Sequence, residues 1–207
     1  SFGCQAHSAG KVEDGDPASG KETVMQERNK SYSNKVTKDK FDLRRGYSME
    51  LTYKKATIED LDLLTETRIK VLRAANQLSD KEDMKEVEKE SYHYYQKALL
   101  DGSHIAYLVF DRERFVGTGG VCFFQVMPTY HNPCGKKAYI MNMYTLPEYR
   151  RRGIAAKTLD MLVKDAWNKG IRAISLEATD MGRLLYEKYG FVKMNAEMEL
   201  PESKNDY

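Results

Sequence analysis

Three consecutive arginines, Arg150 to Arg152, stand directly before Gly153, Ile154 and Ala155. The first amides of a helix have no intrahelical acceptor and carry the positive end of the helix dipole, so they attract anions. Gly153 and Ala155 leave room for an anion to approach such amides, and an arginine can grip a phosphate with two hydrogen bonds. The spacing therefore predicts a phosphate-binding turn at this position.

The elements on either side of this turn must hold it in place. Residues 138–145 are apolar and strand-like, and residues 155–169 repeat apolar side chains at the spacing of one helix face. Gly170 follows, where a left-handed residue is expected to end the helix. This context favours an anion site over the alternative, a surface helix that merely begins with arginines.

The rest of the chain predicts strands and helices in mixed order. The predicted strands are residues 51–56, 105–110, 115–126, 138–145, 173–177 and 191–200. The predicted helices are two that begin with capping boxes at Thr57–Asp60 and Ser79–Glu82, one that ends at Lys169, and Met181–Tyr189. We expect the second helix to carry a face of Met84, Val87, Tyr94 and Ala98. This order predicts an α/β (α+β) fold in which helices pack on the faces of a mixed sheet.

A run of glycines lies inside the predicted strand 115–126. Gly117, Gly119 and Gly120 are interrupted only by Thr118, and no helix follows them as it would in a phosphate loop. Glycines inside a strand are typical of a bulge or of a close backbone approach. We therefore expect one of these features here.

The composition limits the kinds of partner. The chain has 207 residues and a formal net charge of +2, which does not demand a nucleic acid or a membrane. No apolar run approaches the roughly 20 residues that span a bilayer. Cys4, Cys122 and Cys134 are far apart and lack zinc-ligand spacing, so we predict no metal site and a reduced, cytoplasmic setting.

The chain divides into three regions by composition. Residues 1–48 are polar and without apolar period, and we predict a low-complexity leader that is flexible or derived from an expression vector. Residues 28–45 within it are basic, which raises a nucleic-acid-binding arm as a low-ranking alternative because few aromatic residues accompany the charges. Residues 49–200 form the patterned domain, and residues 201–207 are a polar tail.

Two motifs together resemble the GNAT superfamily of acyl-CoA-dependent N-acetyltransferases. Arg150-x-x-Gly153-x-Ala155, after a strand, is similar to the pyrophosphate loop of that family, Q/R-x-x-G-x-G/A. The segment from Leu185 to Phe191, LYEKYGF, is similar to its L-Y-E-K-x-G-F segment. The resemblance covers about residues 51–200. It implies a mostly antiparallel central sheet that is splayed at its middle and flanked by helices on both faces.

The resemblance also implies acetyl-CoA as the co-substrate. Its pyrophosphate would lie over the turn, and the implied binding residues there are Arg150, Arg151, Arg152, Gly153, Ile154 and Ala155. The implied splayed strand would pair with the pantetheine arm through Met141, Asn142, Met143 and Tyr144. One backbone amide of such a strand polarises the thioester carbonyl in the family, and Met143 is the implied donor here.

Two side chains are implied to move protons. Tyr186 would protonate the departing CoA thiolate, since a phenol with an ordinary pKa near 10 stays protonated at neutral pH. The alternative for Tyr186 is packing of its ring inside the domain. Glu177, at the end of a predicted strand, is the first candidate for the base that deprotonates the amine, directly or through water. Asp180 and His131 are weaker candidates for the base.

The leading hypothesis is transfer of acetyl from acetyl-CoA to a primary amine by direct attack. The acceptor would be a small molecule or a peptide, and a homodimer is open. Many family members have Asn and Ala where this chain has Thr179 and Gly182, which leaves room for the alternative of a CoA-binding regulatory module without turnover. Tyr92 and Tyr95 are interpreted as core residues, with a place beside the acceptor as the alternative.

Overall fold

The computed structural model of the protein describes residues 48–195, 197 and 198. Five strands and four α-helices are described, in the order β1 (Leu51–Lys55), α1 (Leu61–Asn76), α2 (Lys85–Asp101), β2 (His104–Asp111), β3 (Arg114–Gln125), β4 (Lys136–Thr145), α3 (Ile154–Asn168), β5 (Ala173–Leu176) and α4 (Asp180–Tyr189). The predicted polar tail, and all of the predicted leader except Ser48, lie outside the described residues.

The five strands form one sheet in the order β1-β2-β3-β4-β5. The first four strands pair antiparallel, and β4 pairs parallel with β5. The tight turn between β2 and β3 produces an antiparallel hairpin, whereas α3 crosses over between β4 and β5 and makes that pair parallel. The predicted mixed, mostly antiparallel sheet is therefore confirmed.

Helices cover both faces of the sheet, as predicted. Successive strand residues point to opposite faces, so Ala106 and Leu108 pack with Leu61, Leu64 and Tyr95 of the first two helices. Tyr107 between them belongs to the cluster on the other face, which is filled from α3 and α4. Its remaining buried members are Val121, Ala138, Ile140, Leu159, Leu162, Val163, Ala166, Ile171 and Tyr186.

The sheet opens along the second half of β4. Pairing between β4 and β5 runs only from Lys137 beside Ala173 to Ile140 beside Leu176. Strand β4 continues to Thr145 with β3 on its other side, so its outer edge is free of β5 beyond Ile140. This opening is the splay that was expected at the middle of the sheet.

A β-bulge lies at the start of the opening. Gly120 pairs with Met141 and Thr118 pairs with Tyr144, so two residues of β4 face the single residue Gly119. One of the two, Asn142, has a φ of 56°, in the left-handed region that residues other than glycine seldom occupy. A Cβ on Gly119 would lie 2.8 Å from the Thr158 Cγ2 atom of α3. The glycine run therefore marks a bulge, one of the two features expected from the sequence, and Gly119 also packs closely against side chains of α3.

The structure corrects the predicted start and buried face of α2. The segment Ser79–Glu82 forms a turn, in which the Glu82 amide donates to the Ser79 carbonyl, and the helix begins only at Lys85. The guanidinium of Arg73 donates to the Ser79 and Glu82 carbonyls, which ties the segment to the end of α1 instead. The helix buries Tyr95 and Ala98, whereas Val87 and Tyr94 are exposed. Of the predicted face, Ala98 is buried as expected, whereas Tyr95 is buried in place of Tyr94 and Val87 is not buried.

The last predicted strand is also wrong where it can be compared. Residues 191–195, 197 and 198 are described and form no strand, and the rest of the predicted strand lies outside the described residues. Phe191 instead packs its ring against Tyr186, with the ring centroids 6.1 Å apart. An apolar residue that caps a helix end in this way carries the same sequence signal as the first residue of a strand. No helix in the described part of the chain is long and apolar enough to cross a membrane.

Candidate active site

The arginine turn connects the open end of β4 to α3. Arg150 is extended, whereas Arg151, with a φ of 61°, and Gly153, with a φ of 81°, are left-handed, so the chain bends sharply before α3 begins. Ile154 is almost fully buried and anchors the helix start in the core. Apart from its two chain neighbours, no described residue has an atom within 4 Å of the place where a Cβ on Gly153 would stand. The core therefore holds the turn in place through Ile154, while the space beside Gly153 is open.

Most amides of this turn have no backbone acceptor among the described residues. The Arg150 amide donates to Pro147 and the Lys157 amide donates to Gly153 over 3.0 Å. Among the described residues, no backbone carbonyl accepts from the amides of residues 151–156, which lie between them. Because three of those amides belong to the first turn of α3, they carry the positive end of its dipole. These amides are therefore arranged in the way that an anion site requires, while binding itself stays a prediction.

The three arginine side chains differ in their contacts. Arg150 donates from Nε to the Thr145 carbonyl over 3.2 Å. The guanidinium of Arg152 lies 5.7 Å from the ring centroid of Tyr149, and its Nη1 lies 3.3 Å from Met49 Sδ. Arg151 is exposed. No carboxylate of the described chain forms an ion pair with any of the three, so their charge remains available to a ligand.

The residues predicted to line the pantetheine arm lie at the splayed edge. Met141, Met143 and Tyr144 are half-buried, and Asn142 is buried at the bulge. The Asn142 Oδ1 atom accepts a hydrogen bond of 3.3 Å from Nη1 of Arg68 on α1. Sequence reasoning missed Arg68. Its signal was a cation four residues after Leu64 and four before Leu72, which places it on the same side of the helix as these two leucines.

Tyr186 lies in α4 with its side chain turned into the core. Its residue is 8% exposed, and burial raises the pKa of the phenol, so the hydroxyl stays protonated at neutral pH. The Thr179 Oγ1 atom caps α4 by accepting from the Gly182 amide. A Cβ on Gly182 would lie 3.0 Å from Cε2 of Tyr186. The two departures from the family pattern thus have local roles, one as a helix cap and one as space for the tyrosine ring.

Glu177 directly follows β5 and is exposed. The phenol of Tyr139 on β4 lies beside it, and burial together with the Glu177 carboxylate raises the pKa of Tyr139 to about 12. The weaker candidates for the base have other surroundings. Asp180 pairs with Arg183 at 3.0 Å, and His131 is exposed in a loop, where its ring contacts Tyr130.

The candidate acid and base lie on different faces of the sheet. Tyr186 belongs to the cluster between the sheet and α3. Tyr139, beside Glu177, pairs with Cys122, and Cys122 pairs with His104, whose ring contacts Tyr95 of α2. Directly paired residues of antiparallel strands point to the same face, so Tyr139 faces α1 and α2. The opening between β4 and β5 is where the two faces meet.

Tyr95 is buried in the core and Tyr92 packs against the same cluster, as interpreted from the sequence. The described residues contain no group of three or more His, Cys, Asp or Glu side chains that could hold a metal.

Comparisons with known proteins give consistent matches. Residues 72–191 match the model of the Acetyltransferase (GNAT) family. A predicted acetyltransferase from Clostridium acetobutylicum, crystallised with acetyl-CoA, is 33% identical, with a TM-score of 0.68 over 73% of this chain and 96% of that one. A GCN5-related N-acetyltransferase from Ralstonia eutropha is 24% identical, with a TM-score of 0.64 over 73% and 98% of the chains.

A more distant structure shares the fold alone. Glucosamine-6-phosphate N-acetyltransferase from Arabidopsis thaliana is 16% identical, with a TM-score of 0.56 over 74% of this chain and 99% of that one. A comparison with curated proteins finds no match.

Proposed function

The chain belongs to the Acetyltransferase (GNAT) family, and from this premise we propose that it transfers acetyl from acetyl-CoA to a primary amine by direct attack. Acetyl transfer dependent on acyl-CoA follows from the family, while the amine acceptor and the residue roles are our proposal. The observation that carries it is the stretch of open amides at residues 151–156, next to the unpaired edge of β4.

The diphosphate of acetyl-CoA would bind these amides. Six amides without a backbone acceptor, next to three arginines without an ion pair, suit a group with two negative charges and many oxygen acceptors. That the relative from C. acetobutylicum was crystallised with acetyl-CoA supports the same ligand here. The pantetheine arm would then pair with the edge of β4 that β5 leaves free.

The reaction needs one bond to form and one to break. The amine nitrogen attacks the acetyl carbon, and the Met143 amide stabilises the oxyanion that develops on the carbonyl oxygen. The carbon–sulfur bond then breaks, and the thiolate takes a proton from the Tyr186 hydroxyl. The amine gives up its proton to Glu177, directly or through water. The products are an N-acetylated amine and CoA.

Binding can be tested with two glycines at opposite ends of α3. Gly153 and Gly170 both have positive φ, and nothing lies within 4 Å of a Cβ on either. Glutamate at each position therefore adds similar backbone strain, but only Gly153→Glu places a carboxylate at the open amides. We expect acetyl-CoA to raise the Tm of the wild type and of Gly170→Glu, and to leave the Tm of Gly153→Glu unchanged.

Two outcomes would contradict the proposed site. If micromolar acetyl-CoA leaves the Tm of the wild type unchanged, the chain does not bind the co-substrate. If Gly153→Glu retains the full shift, acetyl-CoA binds elsewhere. Release of free CoA over a broad panel of amines then tests turnover, and binding without any release would favour a regulatory module instead.

A further inference from the structure

One half-buried cation, Arg68, has no carboxylate partner among the described residues. Arg68 is half-buried on α1, and its described hydrogen bond goes to the neutral amide of Asn142. No carboxylate in the described part of the chain lies within 4.0 Å of its guanidinium. The other cations of the helix have partners, since Lys70 pairs with Glu66 at 2.6 Å and Arg73 donates to two backbone carbonyls.

Two titratable side chains near Arg68, His104 and Tyr95, are uncharged at neutral pH. Burial, with the nearby charge of Arg68, lowers the pKa of His104 to about 4, so this imidazole is neutral. Tyr95 is protonated, because burial raises the pKa of its phenol to about 12 even though Arg68 acts in the opposite direction. The Nε2 atom of His104 is buried and has no hydrogen-bond partner in the described residues. A half-desolvated guanidinium among neutral groups is costly, and an anion bound to it would recover part of that cost.

Arg68 lies close to residues that we propose take part in the reaction. Asn142, which it contacts, is the left-handed residue of the bulge and precedes Met143, the proposed oxyanion donor. Arg68 also lies on the α1 and α2 face of the sheet, where Tyr139 meets Glu177, the proposed base. Arg68 therefore contacts the residue that precedes the proposed oxyanion donor, on the face of the sheet that holds the proposed base.

We propose that Arg68 binds a carboxylate of the acceptor, which makes the substrates free amino acids or similar small molecules whose carboxylate lies a few bonds from the primary amine. The inference rests on the proposed function. A guanidinium holds a carboxylate with two parallel hydrogen bonds, which fixes both the position and the direction of the attached amine. The N-terminus of a peptide has no carboxylate next to its amine, so peptides would be poor acceptors. The carboxylate takes no part in the bond changes given above.

The test compares acids with their neutral counterparts. The twenty common L-amino acids and their α-amides serve as acceptors, with kcat/KM expressed per neutral amine because the two series differ in amine pKa. The enzymes are the full chain, Arg68→Gln, Arg68→Lys, and Lys70→Gln as a variant that removes an exposed charge from the same helix. We expect the full chain to acetylate at least one acid about 10-fold or more better than its amide.

The variants separate recognition from structural support. Arg68→Gln should lower kcat/KM for that acid by roughly 10- to 100-fold while changing the value for the amide by less than about 3-fold. Arg68→Lys should retain part of the preference, and Lys70→Gln all of it. A role only in holding the bulge would lower both values equally and would weaken acetyl-CoA binding, and either result overturns the inference.

Failure of this inference and failure of the proposed function give different results. If acetyl-CoA raises the Tm and only amines without a carboxylate are acetylated, the proposed acetyltransferase function is supported and the proposed role of Arg68 is contradicted. The same conclusion follows if acetyl-CoA binds and no acid in the panel is acetylated. If acetyl-CoA neither raises the Tm nor is consumed, the proposed function fails and this inference fails with it.

Discussion

The Tyr186 hydroxyl belongs to a side chain that is buried and that stays protonated at neutral pH. If it is the acid, Tyr186→Phe removes the proton donor and keeps the ring that packs against Phe191. We expect kcat to fall by at least about 100-fold while the Kd for acetyl-CoA changes by less than about 3-fold. Steady-state CoA release and titration calorimetry provide the two values.

Tyr189 on the same helix offers the matched control. Its hydroxyl donates to Asp160 over 3.1 Å, away from the proposed reaction. Tyr189→Phe should therefore leave kcat within about 2-fold of the wild type. Equal losses of kcat and of acetyl-CoA affinity in Tyr186→Phe would remove Tyr186 from the role of acid.

Gly182 determines the space that the Tyr186 ring occupies. A Cβ there would lie 3.0 Å from Cε2 of the ring, closer than ordinary contact, so alanine would displace the ring by a few tenths of an ångström. Alanine also favours the helix by roughly 0.5–1 kcal/mol relative to glycine. We expect Gly182→Ala to keep or raise the Tm while kcat falls by roughly 10-fold.

The double variant tells whether this loss acts through the tyrosine. In the Tyr186→Phe background, Gly182→Ala should lower kcat no further, because the hydroxyl that it displaces is already gone. An additional 10-fold loss in that background would show that Gly182 acts by another route.

At the scale of elements, Gly119 allows β4 to bulge against β3 and α3. A Cβ on this residue would lie 2.8 Å from Cγ2 of Thr158 and 3.2 Å from Cδ1 of Leu162. We expect Gly119→Ala to lower the free energy of unfolding by about 1–3 kcal/mol, measured by urea denaturation. Because Met143 also lies against this position, the same variant should lower kcat.

Thr158→Ser supplies the control for this overlap. Serine lacks Cγ2 but keeps a hydroxyl that can donate to the Ile154 carbonyl, as Thr158 does over 3.0 Å. The loss of stability in Gly119→Ala should therefore be smaller in the Thr158→Ser background, with a coupling of about 0.5–1 kcal/mol. Strict additivity of the two substitutions would argue against a steric origin.

The elements that could be predicted from the sequence are those with a local signal. The strand before the arginine turn, the helix after it and the glycine that ends α3 each follow from periodicity or from a residue preference. The start of α2 could not be predicted in this way, because Ser79 has the chemistry of a helix cap but is held by Arg73 of another helix. Tertiary contacts decided that boundary.

The candidate site also has features that a local sequence signal predicts and features that depend on tertiary contacts. The open amides of residues 151–156 could be predicted because a helix start needs only local sequence. The bulge at Asn142 and its contact with Arg68 join residues that are 74 positions apart, and no pattern within either segment pairs them. The roles of Tyr186 and Glu177 remain predictions that the experiments above test.

At the scale of the whole molecule, the sheet separates two chemical environments. One face holds the Tyr186 phenol in an apolar cluster, and the other holds Arg68, His104 and the Tyr139–Glu177 contact. The sheet is continuous except where β4 and β5 part beyond Ile140. If Tyr186 is the acid and Glu177 the base, a thioester that enters this opening would meet the acid from one face and the acceptor amine from the other, and a splayed sheet would suit a two-substrate transfer.

Burial of His104 couples the stability of this fold to pH. The folded protein lowers the pKa of His104 from 6.5 to about 4, so the unfolded chain binds more protons between these values. The contribution is complete above pH 6.5 and is lost as the pH falls towards 4. From pH 7 to pH 5 we expect the free energy of unfolding to fall by about 2 kcal/mol, measured by urea denaturation.

Two variants assign this loss to His104. His104→Gln should lower stability at neutral pH, because the ring and its 3.1 Å hydrogen bond with Tyr94 are lost, but it should remove most of the difference between pH 7 and pH 5. His93→Gln changes an exposed histidine on α2 and should keep the full difference. The paired carboxylates Asp60 and Asp160 have pKa values lowered from 3.8, so they stabilise the fold above that pH and lose this contribution only below it, outside the interval from pH 7 to pH 5. A His104→Gln variant that still loses about 2 kcal/mol over this interval would show that another group carries the pH dependence.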